Sequence, residues 1–418
     1  MSGDEPLVTN DAVVLGLLAV ILGTVFWTQQ SRHPFWTRFY SVIPALLLCY
    51  FLPSLLNTAG VIDGSQSNLY YVSSRYLLPA CLVMLTLSVD LPSILKLGPK
   101  ALAMFFTGTV GIVLGGPLAI LAVSAFSPET VGGAGPEAVW RGMTTVAGSW
   151  IGGSANQTAM KEVFDVGDRL FSQMVTVDVI CANIWMAMLL FAAGRAAAID
   201  RHTGADTSNI DHLKYKVEEF HAEHARIPRL ADLMFIAAIG FGVTGAAHAA
   251  ADLIVPWLRA NAPGLERLSL TSEFFWIVVI ATTVGVVLSF TRARQLEGAG
   301  ASTVGSAFLY ILIASVGMKM DVTAIVDNPG LFGVGMLWIS FHAVLLIVVA
   351  KLIRAPLFYL AVGSQANIGG AASAPVVASA FHPALAPVGV LLAVFGYAVG
   401  TYAAWFCGQL MRIAATGT

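Results

Sequence analysis

Ala147–Glu162 reads AGSWIGGSANQTAMKE, and Ser364–Val377 reads SQANIGGAASAPVV. Placing Gly152 on Gly369 aligns I-G-G-[S/A]-A in both, Ile151–Ala155 with Ile368–Ala372. Each stretch sits in apolar sequence of bilayer-spanning length. Each also carries amides and hydroxyls: Ser149, Ser154, Asn156, Gln157 and Thr158 in the first, Ser364, Gln365, Asn367 and Ser373 in the second. Paired glycines flanked by side chains that compete for backbone hydrogen bonds predict an interrupted helix. Broken backbone at membrane depth is tolerated only where protein or a water-filled cavity covers it. Two interruptions at corresponding places in two halves point to the binding site of a secondary transporter. Close helix–helix packing accounts for the glycines but not for the amides.

The surrounding composition supports a membrane setting. Of 418 residues, 57% are hydrophobic and 11% charged, against about 25% charged in soluble domains. The mean hydropathy is +0.78. A net charge of −2 gives no footprint for nucleic acid. Cys49, Cys81, Cys181 and Cys407 all lie in apolar stretches without metal or disulfide spacing and read as small core residues. MSGDEPLVTN at the start is acidic and lacks a basic signal-peptide region, so the first apolar segment is expected to be retained.

Apolar segments run over Asp11–Gln29, Phe39–Thr58, Tyr76–Ile94, Ala101–Phe126, the first motif at about 139–165, and Leu170–Gly194. Arg195–Arg229 is polar and mixed in charge and reads as a connector. The segments resume at Leu230–Leu258, Glu273–Phe290, Ser302–Met320, Gly330–Leu352, the second motif at about 355–381, and Ala384–Ile413. Asp90 in LSVDLPSIL matches Asp321 in GMKMDVTAI, and Pro99 matches Pro329; the loop Ser127–Val139 is extra to the first half. A shared order of elements with one insertion is what duplication leaves. Treating the motif segments as hairpins gathers more Lys and Arg on the side of the connector than treating them as crossings. The expected fold is therefore an all-α polytopic membrane protein. It has a tail (1–10), repeat 1 (11–194), a cytoplasmic connector (195–229), repeat 2 (230–413) and a short tail (414–418). The repeats are expected to be inverted, each with five crossings plus one re-entrant hairpin.

The paired GSWIGGSANQTA and GSQANIGGAASAP motifs, with the paired Asp, resemble those of the bacterial and plant membrane family known as domain of unknown function 819. That family is similar in plan to the sodium–glutamate and 2-hydroxycarboxylate symporters, within a wider group of bile acid, arsenite and riboflavin transporters. The resemblance covers nearly the whole chain. It implies two inverted five-helix repeats with re-entrant loops, and a dimer by analogy. This chain has Gly-Gly-Ser-Ala (152–155) and Gly-Gly-Ala-Ala (369–372) where the symporters have Gly-Gly-x-Gly, and no arginine within either motif.

The residues suggest how such a site works. A helix restarted at Gly152–Gly153 or Gly369–Gly370 presents free N–H groups with about half a positive charge, an anion site without a lysine. Carbonyls of the ended arm suit Na⁺. The candidate solute site is Ser149, Gly152, Gly153, Ser154, Asn156, Gln157, Thr158, Gln365, Asn367, Gly369, Gly370 and Ser373. Asp178, inside the span after the first motif and matched by Phe395 in the second half, is the sharpest ion-coupling candidate, joined by Asn183, Asn156 and Asn367. Asp90 and Asp321 read as helix-end groups, His248 with Asp252 as an interfacial pair, and His342 as a core histidine. Trp27, Trp36, Phe39, Tyr40 and Trp257 read as interface aromatics.

No Walker motif, HExxH or GxSxG is present. The expectation is a secondary active transporter, not an enzyme. It would carry a small hydrophilic, carboxylate-bearing solute, coupled to Na⁺ or H⁺, by elevator-type movement in a bacterial cytoplasmic membrane. No cofactor beyond Na⁺ is expected, and the partners are the solute, the bilayer and a second copy. The alternative is a passive channel or facilitator with the same repeats.

Overall fold

The computed structural model describes residues 6–40, 43, 45–205, 228–268, 270–320, 328–382 and 385–417. The connector run 206–227 and Asp321 lie outside the described residues. The described residues form helices and turns, apart from an isolated bridge between Val8 and Ile62. The principal helices are α1 (Asp11–Gln29), α2 (Ala45–Thr58), α3 (Leu78–Leu87), α4 (Pro99–Ser124), α5 (Val139–Val163) and α6 (Asp168–Ala193). After the connector come α7 (Leu230–Asn261), α8 (Glu273–Ser289), α9 (Ala301–Gly317), α10 (Gly330–Leu352), α11 (Leu357–Ile368), α12 (Gly370–Phe381) and α13 (Ala386–Thr416).

Local chemistry sets several of the ends. Asn10 caps α1 by accepting from the Ala12 N–H at 2.9 Å. Pro99 opens α4, where its missing N–H needs no partner. Asp90 caps the short helix Leu91–Lys96 by accepting from Ser93 N–H at 3.1 Å, and pairs with Arg294 at 2.5 Å. Asp90 is thus a helix-end group as expected, though a buried one and not at the surface. Helix α3 is preceded without interruption by Leu69–Val72 and a π-helical turn, Ser73–Leu77.

Among the described residues, six helices are long and apolar enough to cross a membrane: α1, α4, α6, α7, α10 and α13. Counting two bent helix pairs, Pro34–Tyr40 with α2 and α8 with Arg292–Ala299, makes up to eight. Apolar side chains point outward along α4 (Phe106, Val110, Leu114, Leu118, Leu121) at helical spacing, as a lipid-facing stripe requires.

The helices sort into two bundles. A frame bundle joins α1–α3 to α7–α9, and a hairpin bundle joins α4–α6 to α10–α13. Packing recurs with the halves exchanged. α2 packs on α9 as α8 packs on α3, α1 on α9 as α7 on α3, and α10 on α6 as α4 on α13. Between the bundles, α13 and α5 lean on α3 and α8. Thr282 meets Thr401 at 3.1 Å and Thr283 meets Tyr402 at 2.6 Å across that seam.

Candidate functional site

Helix α5 is interrupted where its glycines predict. Gly152 has φ −137° and ψ 17°, and Gly153 has φ 72° and ψ −174°. The second value is one that L side chains rarely adopt. The chain then doubles back. A Cβ on Gly148 would lie 2.6 Å from the Asn156 carbonyl oxygen, whereas these positions on an unbroken helix are separated by about 12 Å of rise. We call this hairpin 1. Hairpin 2 is α11 and α12, joined at Gly369 with Gly370 at φ 57°. Across that break Gln365 Nε2 donates to Ser373 Oγ at 2.9 Å. The two tips meet: a Cβ on Gly370 would be 3.8 Å from Gly153 Cα.

Helix α13 threads between the hairpins. A Cβ on Gly396 would lie 2.9 Å from the Ile151 carbonyl oxygen and 3.2 Å from that of Ala366, one on the first arm of each hairpin. On Gly400 it would lie 2.5 Å from Gly152 Cα. The bare faces of α13 are thus what let two broken backbones approach one helix.

The two asparagines make the same clasp in different places. Asn156 donates to the carbonyls of Gly152 and Tyr397, each at 3.0 Å, and accepts from Thr401 at 2.6 Å. Asn367 donates to the carbonyls of Gly363 at 2.9 Å and Phe105 at 3.0 Å, and accepts from Thr109 at 2.8 Å. In each case the amide bridges its own arm to a neighbouring helix, and the hydroxyl that closes the clasp lies one turn beyond the carbonyl on that helix. Both asparagines are fully buried. Their amides are taken up by protein in this conformation, where the sequence pointed them at a solute or an ion.

Asp178 grips both arms of hairpin 1. Trp150 Nε1 donates to Oδ1 at 2.7 Å and Gln157 Nε2 to Oδ2 at 2.9 Å. The Ser149 hydroxyl also hydrogen-bonds it. Gln157 Oε1 in turn accepts from Tyr50 in the frame bundle at 3.4 Å. Thr158 donates to the Ser154 carbonyl at 3.1 Å, and Ser154 itself is half-buried beside the break. Asn183 is not brought into this group: its amide donates to Val179 of its own helix at 2.7 Å.

On hairpin 2, Ser364 accepts from Trp185 Nε1 at 2.8 Å and meets His342 Nε2 at 2.7 Å, while His342 Nδ1 lies 2.9 Å from the Gly108 carbonyl. A carbonyl only accepts, so Nδ1 carries the proton and Ser364 donates to Nε2. His342 is a satisfied core histidine, as read from its isolation. One group is left over. Gln365 is 1% exposed, and its Oε1 has no hydrogen-bond partner; among the described residues the only other such buried side-chain atom is Arg141 Nε. Native interiors leave few such atoms unpaired, so this oxygen, on the arm that leads to the Gly369–Gly370 break, has an accepting position open to a donor. Among the described residues, no three His, Cys, Asp or Glu side chains come together to hold a metal.

Sequence reasoning missed Thr109 and Thr401. Each follows a glycine inside an apolar span, Gly108-Thr109 and Gly400-Thr401, and a hydroxyl beside a bare helix face is the signal that was there to read.

An all-helical chain with long apolar helices, outward apolar stripes and polar groups gathered at two internal breaks is an integral membrane protein of the polytopic class. The family model described as "Protein of unknown function (DUF819)" matches residues 16–414, so the chain belongs to that family. It is similar to the "Uncharacterized membrane protein YjcL" of Bacillus subtilis (strain 168), with 24% identity over 355 residues, covering 82% of this chain and 84% of that protein.

Proposed function

We propose that this protein is a secondary active transporter whose solute binds between the two hairpin tips. One observation carries the reading: two backbone breaks meet tip to tip inside one bundle, with the unpaired Gln365 oxygen on an arm beside them. Helix ends at the breaks supply N–H groups for a carboxylate, and the Gln365 oxygen accepts from a donor elsewhere on the molecule, so the solute is small, hydrophilic and carboxylate-bearing, with a hydroxyl or ammonium group besides. Uptake is coupled to Na⁺ or H⁺ through Asp178, the carboxylate that accepts from both arms of hairpin 1 beside the break.

The exchange of packing partners between halves supports a pair of repeats, and the reading takes them as inverted, each with a re-entrant hairpin. The hairpin bundle then moves against the frame as an elevator. The frame joins two copies into a dimer, in a bacterial cytoplasmic membrane. The test is uptake into proteoliposomes across a panel of small carboxylates, with a Na⁺ gradient, a proton gradient or neither. Gradient-driven accumulation is expected, and failure of every gradient to drive any solute counts against coupling. The facilitator alternative has one observation in its favour, that the Asp178 oxygens already accept from Ser149, Trp150 and Gln157. It predicts equilibration without accumulation.

A further inference from the structure

A cluster of charges ties the base of hairpin 1 to the frame bundle. Glu162, at the end of α5, pairs with Arg75 at 3.2 Å. Lys161 lies 2.8 Å from Asp168, the first residue of α6, and Lys319 pairs with the other oxygen of Asp168 at 3.3 Å. Tyr70 is the hub. Its hydroxyl donates to Glu162 and accepts from Lys161 at 3.0 Å. Its ring faces two ammonium groups, Lys161 at 4.7 Å and Lys319 at 4.5 Å from the centroid, a cation–π geometry.

The membership follows the division between bundles. Tyr70 and Arg75 lead into α3, and Lys319 follows α9, so all three belong to the frame. Lys161, Glu162 and Asp168 belong to the hairpin bundle. The backbone is also adapted here: Arg75 lies in the π-helical turn, and its carbonyl is met by His248 Nε2 at 2.9 Å. Such turns release a carbonyl from the helical ladder. Hairpin 2 differs in composition: between Arg354 and Arg412 the chain contains no Asp, Glu, Lys or Arg.

We propose that this cluster is a latch. It holds the hairpin bundle against the frame in the conformation described here, and it must open before hairpin 1 can move. The proposal rests on the two-bundle transport reading, but its test does not. Lys161 is only 6% exposed on its side chain, so its attractions to Asp168 and Tyr70 are weakly screened by salt. The contacts that cross between the bundles are Glu162 with Arg75, Asp168 with Lys319, and Tyr70 with both Lys161 and Glu162, and movement of hairpin 1 must break these.

The experiment is hydrogen–deuterium exchange on the purified full chain, without solute, in lipid nanodiscs. Peptides covering Ala159–Asp168 and Leu69–Leu77 are compared in wild type, Tyr70→Phe and Lys319→Met. Removing a charge-assisted hydrogen bond is expected to speed exchange at both segments about tenfold. Lys319→Arg, which keeps the pair to Asp168, restores wild-type exchange. Lys319 has a quarter-exposed side chain and keeps the test open if Tyr70→Phe does not fold. Asp90→Asn breaks an ion pair that shares no residue with the cluster and leaves both segments unchanged. Unchanged exchange in Lys319→Met, or an equal rise throughout the chain, overturns the latch. Uptake assays decide the transport reading separately, since exchange is read with no solute present.

Discussion

Hairpins 1 and 2 come from matching stretches of sequence, yet they are held differently. Hairpin 1 is gripped on both arms by a carboxylate, Asp178, and its base is tied to the frame by the pairs of Glu162 with Arg75 and Asp168 with Lys319. Hairpin 2 has Phe395 at the position matching Asp178, carries no formal charge along its length, and keeps an unpaired oxygen on its first arm. What they share is the asparagine clasp. The comparison separates what is shared from what is not: each asparagine ties its hairpin to a neighbouring helix, whereas the carboxylate grip belongs to hairpin 1 and the unpaired oxygen, which the proposal gives to the solute, to hairpin 2.

Replacement of Asp178 attacks the difference most directly. Asp178→Leu strands the buried donors of Trp150 and Gln157 and the Ser149 hydroxyl, a loss of about 3 kcal/mol or more at roughly 1–3 kcal/mol per orphaned group. Thermal unfolding in detergent should show it as the largest drop in the series. Asn156→Ala and Asn367→Ala test the similarity. Each removes the same three hydrogen bonds, so both should lower stability by about 2 kcal/mol. A clear inequality between the two melting temperatures would break the claim that the clasps are equivalent. Ser364→Ala leaves Trp185 without its acceptor and His342 without its donor, and about 2 kcal/mol is expected from unfolding curves, roughly 1 kcal/mol for each orphaned group. Gln365→Met has the smallest effect on stability, within about 1 kcal/mol of wild type, since it gives up one bond to Ser373 and also removes an orphaned oxygen. Its effect should instead appear in solute binding.

Much of this was legible in the residues. Gly-Gly beside amides predicts a break, and both breaks are there. The order of elements in the two halves predicts a repeat, and packing partners recur accordingly. The membrane setting follows from composition. The fate of the amides was not legible, because Asn156 reads the same whether it faces a solute or the Tyr397 carbonyl; only tertiary placement decides. For the same reason Asp178 stood out as an intramembrane acid, while its partners Trp150 and Gln157 were hidden inside the motif beside it. The sorting of helices into frame and hairpin bundles depends on which faces meet, and periodicity does not encode that. The charged cluster was invisible because Tyr70, Arg75, Lys161, Glu162, Asp168 and Lys319 are scattered over most of the chain.

The receptive character of hairpin 2 is the claim on which the functional account stands. It is tested most directly by a thermal-shift screen of small carboxylates against wild type and Gln365→Met, run in Na⁺ and again in K⁺. The account predicts a solute that raises the melting temperature of wild type, more so in Na⁺ if that ion is the coupling partner, and leaves Gln365→Met unmoved. Equal shifts in both proteins, or no shift with any solute in either salt, would contradict it.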